Sequence, residues 1–288
     1  MYNLEPTQPY SFSQSLKRLR DLPRQVVARA DGPAYLRALE QDGRLGLVRI
    51  TAPGDDCLTV AVEGDLDPEQ TLAAVRRAFS LDLDLAAAQQ HMDSADPTMA
   101  NLFRQYRGAR PIGPFSLWES LAWAIIGQQI TVAFAYTLKE ALVSLGDKAY
   151  GGLPAFPGPA TVAALQYDDL TARKFTRKKA EYIIDLARAI AEGRLDLEGL
   201  AGLPFEQGVK ELVKLRGVGR WTAECLLMDA GAPDAFPAGD IGIRNSVQMV
   251  YGLDHQPTEE EVRELGRPWA PYSTLACFYL WLALRDKG

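Results

Sequence analysis

The chain has 288 residues, 47% of them hydrophobic and 24% charged, with a formal net charge of −6. That length and apolar content suffice for two or three folded domains with substantial cores. Three cysteines and two histidines, scattered at Cys57, Cys225, Cys277, His91 and His255, exclude a disulfide framework and a side-chain metal cluster, so no cofactor is expected to be required.

No charged-then-apolar leader opens the sequence, and no apolar run is long enough to span a bilayer. A cytoplasmic protein is expected. The acidic balance argues against a polyanionic ligand unless basic residues gather locally.

Residues 45–51 (LGLVRIT) and 58–64 (LTVAVEG) alternate apolar and polar or carry β-branched residues, with APGDD between them as a turn. They predict a β-hairpin. Residues 68–79 predict a helix, with Pro68 near its start and Leu72, Val75 and Phe79 on one face. Residues 1–96 therefore read as an α+β amino-terminal domain. From Pro97 the pattern is almost wholly helical, broken by proline and glycine at GARPIGP, GGLPAFPGP and DAGAPDAFPAGD.

Arg173, Lys174, Arg177, Lys178 and Lys179 form a basic run that reads as a solvated helix face. A second cluster, Lys210, Lys214, Arg216 and Arg220, surrounds the string LRGVGRWTAECLL. Val209, Leu212, Val213 and Leu215 before it, and Ala223, Leu226, Leu227 and Ala230 within and after it, recur at about helical spacing. Gly217 and Gly219 thus lie in a turn between two helices. Such glycines usually serve the turn alone. Here they also bare the backbone beside a helix N-terminus, whose free N–H groups and positive dipole suit a phosphate.

Asp240, between PAG and IGIRNSV, reads as an N-cap. The helix dipole would also keep its carboxylate ionised. Phe278, Leu280, Trp281 and Leu284 read by periodicity as an apolar helix face.

Taken together, LRGVGRWTAECLL and FPAGDIGIRNSV (236–247) resemble the helix-hairpin-helix DNA glycosylase superfamily. AIIGQQITVAFA (124–135), the RKKAEYIIDLARAIAEG run from Arg177 and RPWAPYSTLACFYLW from Arg267 are similar in order and spacing to the AlkA-type 3-methyladenine DNA glycosylases. The resemblance covers most of the chain from Pro97, and MYNLEPTQPY at the start is also similar.

The resemblance implies a small antiparallel sheet with helices, followed by a mostly α region, 97–288. One helical subdomain would span 116–233, the other 97–115 plus 234–288, with a cleft between them. It implies a hydrolase that flips an alkylated base out of double-stranded DNA and breaks its N-glycosidic bond, as a monomer, associated with the nucleoid if bacterial. Asp240 would be catalytic, stabilising positive charge on the sugar. Relatives that also cut the strand carry a lysine two positions after the second hairpin glycine. Trp221 stands there, which implies a monofunctional enzyme leaving an abasic site.

Trp281 matches the tryptophan that the family stacks on the extruded base, and a ring face favours cationic alkylated purines. Trp221 is a pocket wall or a core residue. The resemblance further implies backbone contacts to DNA from Gly217, Gly219, Arg220 and Thr222, and a structural Na⁺ or K⁺ on the main-chain carbonyls of Val213, Leu215 and Val218. This chain has Arg18, Cys225 and Ile241 where the family's type member is aromatic, and Gln129 where it has a leucine wedge. A roomier pocket is expected, open to 1-methyladenine and 3-methylcytosine. Ile130 is the alternative wedge. Two rival readings remain: a non-catalytic helix-hairpin-helix DNA-binding or damage-sensing module, and a glycosylase for oxidised or mispaired bases.

Overall fold

The structure, a computed structural model, describes residues 1–20 and 26–286, without the side chains of Arg18 and Arg20. In chain order the amino-terminal elements are β1 (Tyr2–Leu4), α1 (Phe12–Arg20), β2 (Ala28–Asp31), β3 (Ala34–Gln41), β4 (Arg44–Thr51), β5 (Leu58–Gly64) and α2 (Pro68–Ala78). The strands form one antiparallel sheet in the order β1-β5-β4-β3-β2.

The predicted hairpin is β4–β5, and the predicted helix is α2, with Asp67 as its N-cap and Pro68 in its first turn. β3 was not foreseen. Both of its faces are buried, so no polar alternation marks it. Tyr35 and Leu39 face the core under α1 and α2, while Leu36 and Ala38 face Leu153 and Ala155. Asp42 and Gly43, at φ 50° and 82°, close the β3–β4 turn.

The helical part comprises α3 (Leu85–Ala95), α4 (Pro97–Gln105), α5 (Leu117–Gly127), α6 (Val132–Leu145), the short hairpin β6 (Ala149–Tyr150) and β7 (Leu153–Pro154), then α7 (Pro159–Ala163) and α8 (Tyr167–Thr171). It continues with α9 (Arg177–Ala191), α10 (Leu197–Ala201), α11 (Phe205–Leu212), α12 (Arg220–Asp229), α13 (Ile241–Tyr251), α14 (Glu259–Gly266) and α15 (Ser273–Asp286).

Its buried apolar residues separate into two clusters. One is built on α5, α6, α9 and α12, the other on α3, α4, α13 and α15. The helix α3 contributes Leu85, Ala88 and Met92 to the second cluster, although it lies within residues 1–96. A buried ion pair, Arg37 of β3 with Glu119 of α5, ties the sheet to the first cluster, and Lys139 Nζ adds a 2.9 Å contact to the same carboxylate. Among the described residues, no helix is long and apolar enough to cross a membrane.

Candidate active site

The turn between α11 and α12 and the turn before α13 face one cleft of about 1980 Å³, which also reaches the α5–α6 turn and α15. Gly219 is the N-cap of α12 and has no side chain to close it, so the first N–H groups of that helix stay open. A Cβ on Gly219 would meet nothing within 4 Å. Gly217 differs. Its φ is +89°, and a Cβ there would fall 2.3 Å from the Tyr182 ring of α9. The turn therefore needs Gly217 for packing, while Gly219 faces open space and is free for close approach by a ligand.

Three of the four cations around this turn are already engaged. Lys214 pairs with Glu211, Arg216 with Glu181 and Asp185, and Arg220 with Glu206 and Glu224. An anion would thus meet backbone N–H groups and half-neutralised cations.

Asp240 is the N-cap of α13, its Oδ1 accepting from Ile243 N–H at 3.0 Å. Two tryptophans from different helices also reach it. Trp281 Nε1 donates to Oδ1 at 3.1 Å, and Trp221 Nε1 donates to Oδ2 at 3.2 Å. Both carboxylate oxygens are thus held from the protein side, which fixes where the carboxylate sits in the cleft. A fixed anion in a partly apolar cleft is suited to stabilising positive charge that develops opposite it.

Cys225 lies one turn after Trp221 on the same face of α12 and lines the cleft. Its surface is partly open, yet its thiol is turned away from solvent. Burial, and after it the charge of Asp240, push the thiol well above its usual range, so it is a neutral wall rather than a nucleophile. Ile241 stands at the cleft's mouth, 58% exposed. Arg18 belongs to α1, but its side chain lies outside the described residues. Gln129 is exposed at φ 56° on the α5–α6 turn. Ile130 instead packs against the helical core.

The Thr222 side chain is 2% exposed, and its hydroxyl accepts from Gln128 Nε2 at 2.9 Å, which leaves its backbone as the part that can face DNA. One expectation needs correction: the basic run from Arg173 is not wholly solvated. Lys179 is 8% exposed and donates to the carbonyls of Ile126 and Gln128, because the C-terminal carbonyls of α5 lack helical partners. Gln128, Lys179 and a second cleft carboxylate, Asp229, to which Ser120 Oγ donates at 2.6 Å, carry no sequence signal of their own. Val213, Leu215 and Val218 lie along the hairpin, off the wall of the cleft.

Residues 122–271, just over half of the chain, match the family model for the HhH-GPD superfamily base excision DNA repair protein. The chain is 38% identical over 221 residues to a DNA-3-methyladenine glycosylase of Bacillus subtilis, covering 75% of this chain and 73% of that one. Among solved structures, a 3-methyladenine DNA-glycosylase from Archaeoglobus fulgidus superposes with a TM-score of 0.85 at 26% identity, covering 100% of both chains. The Schizosaccharomyces pombe 3-methyladenine DNA glycosylase (Mag1) in complex with abasic DNA superposes with a TM-score of 0.59 at 27% identity, covering 68% of this chain and 95% of that one. The chain belongs to the HhH-GPD superfamily of base excision DNA repair proteins.

Proposed function

We propose that the protein is a monofunctional DNA glycosylase that removes alkylated bases from double-stranded DNA by hydrolysis. The observation that carries this is Asp240, held by two indole N–H groups and a backbone N–H where a cleft meets an open helix N-terminus. A binding module has no use for a carboxylate so placed, since it would repel the DNA backbone. The relatives named as 3-methyladenine glycosylases, and the one solved with abasic DNA, support the reaction class and the ligand.

In this reading the α11–α12 turn grips one phosphate through Gly219 and the first N–H groups of α12, without reading sequence. The target nucleotide leaves the stack, at a cost of a few kcal/mol, and enters the cleft. Gln129, exposed on a left-handed turn, fills the vacated space; Ile130, the other candidate, is partly buried against the helical core. The Trp281 ring faces the base, while its N–H remains on Asp240. As the bond to C1′ breaks, positive charge on the sugar is stabilised by the carboxylate, a contribution of roughly 3 kcal/mol or more. Water completes the hydrolysis. Trp221 occupies the position of an attacking lysine and provides no amine, so the strand stays intact.

A monovalent cation also fits. Among the described residues, the carbonyls of Val213 and Val218 accept no hydrogen bond, and that of Leu215 accepts one, from Val218 N–H at 3.0 Å. Such an oxygen set suits a hard ion, which would add positive charge beside a phosphate where Lys214, Arg216 and Arg220 are already paired.

The protein would act as a monomer on cytoplasmic or nucleoid DNA, with helical subdomains 116–233 and 97–115 plus 234–288, the second joined by α3. With Cys225 and Ile241 in the pocket, its substrates would extend from 3-methyladenine to 1-methyladenine and 3-methylcytosine. The test is base release from duplexes with defined lesions, with borohydride added only to a parallel reaction. Free alkylated base and an alkali-labile intact strand are expected. No release from any lesion would leave a binding module, and a trapped covalent adduct would reveal an attacking amine.

A further inference from the structure

The lip of the cleft and the hairpin are joined by two polar side chains, neither of which touches Asp240. Gln128, immediately before Gln129, points its amide into the hairpin, where Nε2 donates to the Gly217 carbonyl and to the Thr222 hydroxyl, both at 2.9 Å. From the other side, Lys179 Nζ donates to the carbonyls of Ile126 and Gln128, both at 2.7 Å. Its ammonium is buried and, among the described residues, is bonded only to peptide oxygens. Burial accordingly lowers its pKa. Three residues on, Tyr182 fills the space that a side chain at Gly217 would need. One helix, α9, therefore backs both the hairpin and the lip.

We propose that Gln128 and Lys179 are positioning residues that couple the hairpin's grip on the DNA backbone to base extrusion, by fixing the Gln129 turn at a set offset from the gripped phosphate. This rests on the glycosylase reading above. The physical need is clear: an exposed residue in a left-handed turn has few contacts of its own to hold it, and a misplacement of about 1 Å can cost a hundredfold in rate. Gln128 supplies the contact to the hairpin. Lys179 fixes the turn's own carbonyl.

The test compares Gln128→Ala and Lys179→Met with wild type on 3-methyladenine in a paired duplex and on the same base in a one-nucleotide bulge, where no base pair must be broken. Single-turnover release from the paired duplex should fall about 10- to 100-fold, and release from the bulge less than about threefold. Affinity for undamaged duplex should stay within about threefold. Equal losses on both substrates would reduce the two residues to ordinary structural roles, and no loss on either would remove them from the mechanism.

Extrusion is read separately by the fluorescence rise of 2-aminopurine next to the lesion, which needs no base release. A rise in wild type that persists in both variants overturns the coupling, and its loss in them supports it. Absence of base release by wild type, with that fluorescence intact, counts against the glycosylase reading alone. Should Lys179→Met fail to fold, Gln128→Ala still decides the question, because it leaves the end of α5 capped.

Discussion

Trp281 donates its indole N–H to Oδ1 of Asp240 at 3.1 Å, so the ring assigned to the extruded base is tethered to the carboxylate assigned to its sugar. Trp221 does the same at Oδ2, from a different helix. Removing either donor while keeping an aromatic ring should loosen the carboxylate and leave the cleft's shape nearly intact. A hydrogen bond to a charged group contributes about 1.5–3 kcal/mol, so Trp221→Phe should slow single-turnover excision about 10- to 100-fold with little change in DNA affinity. A fall in affinity at unchanged excision rate would show that Trp221 acts only as a pocket wall.

The two hairpin glycines should separate cleanly. Gly217→Ala forces a side chain onto the Tyr182 ring at positive φ, which should lower the melting temperature by roughly 5–10 °C. Gly219→Val meets open space and has ordinary backbone angles, so its melting temperature should move by less than about 3 °C. Its affinity for every duplex should nonetheless fall by about tenfold, whatever the sequence or lesion. Loss confined to one lesion would contradict the backbone-grip assignment.

Glu119 sets a pH dependence. Burial pushes its carboxyl up, but Arg37 and then Lys139 outweigh that and hold it at about 2. With a folded pKa below the unfolded one, the stabilisation is present above about pH 4.5 and is lost as pH falls towards 2. Between about pH 4.5 and 3 the wild type should lose on the order of 2 kcal/mol more than Glu119→Gln in urea unfolding. Parallel pH profiles of the two proteins would show that this ion pair does not tie the sheet to the helices.

Legibility in the sequence followed physical locality. The α11–α12 turn, the Asp240 cap and helix α2 are set by residues close in sequence, and all three are found where the motifs place them. β3 was hidden because both faces of the strand are buried, although Asp42-Gly43 is a strong hairpin turn signal. The indole contacts to Asp240 span 19 and 41 residues, and the Lys179 contacts span 51 and 53. No periodicity reports a partner so distant. Lys179 in particular sits among exposed cations, and only the position of α5 turns it inward.

Substrate range is the part of the proposal most open to test at a single residue. Cys225 lies on the face of α12 that follows Trp221 into the cleft, where a larger ring would occupy space. Cys225→Tyr should therefore reduce release of 1-methyladenine and 3-methylcytosine relative to 3-methyladenine, by about tenfold. An unchanged ratio would mean that openness at this position does not set the range.

The central claim is that the Asp240 carboxylate stabilises charge on the sugar. Asp240→Asn tests it, because the amide oxygen can still cap α13 through Ile243 N–H while the negative charge, and with it the acceptor for Trp221 Nε1–H, is gone. Single-turnover release of 3-methyladenine, measured beside duplex affinity and melting temperature, should fall by at least about 100- to 1,000-fold, with affinity within about threefold of wild type. A folded Asp240→Asn protein that excises at near the wild-type rate would contradict the account.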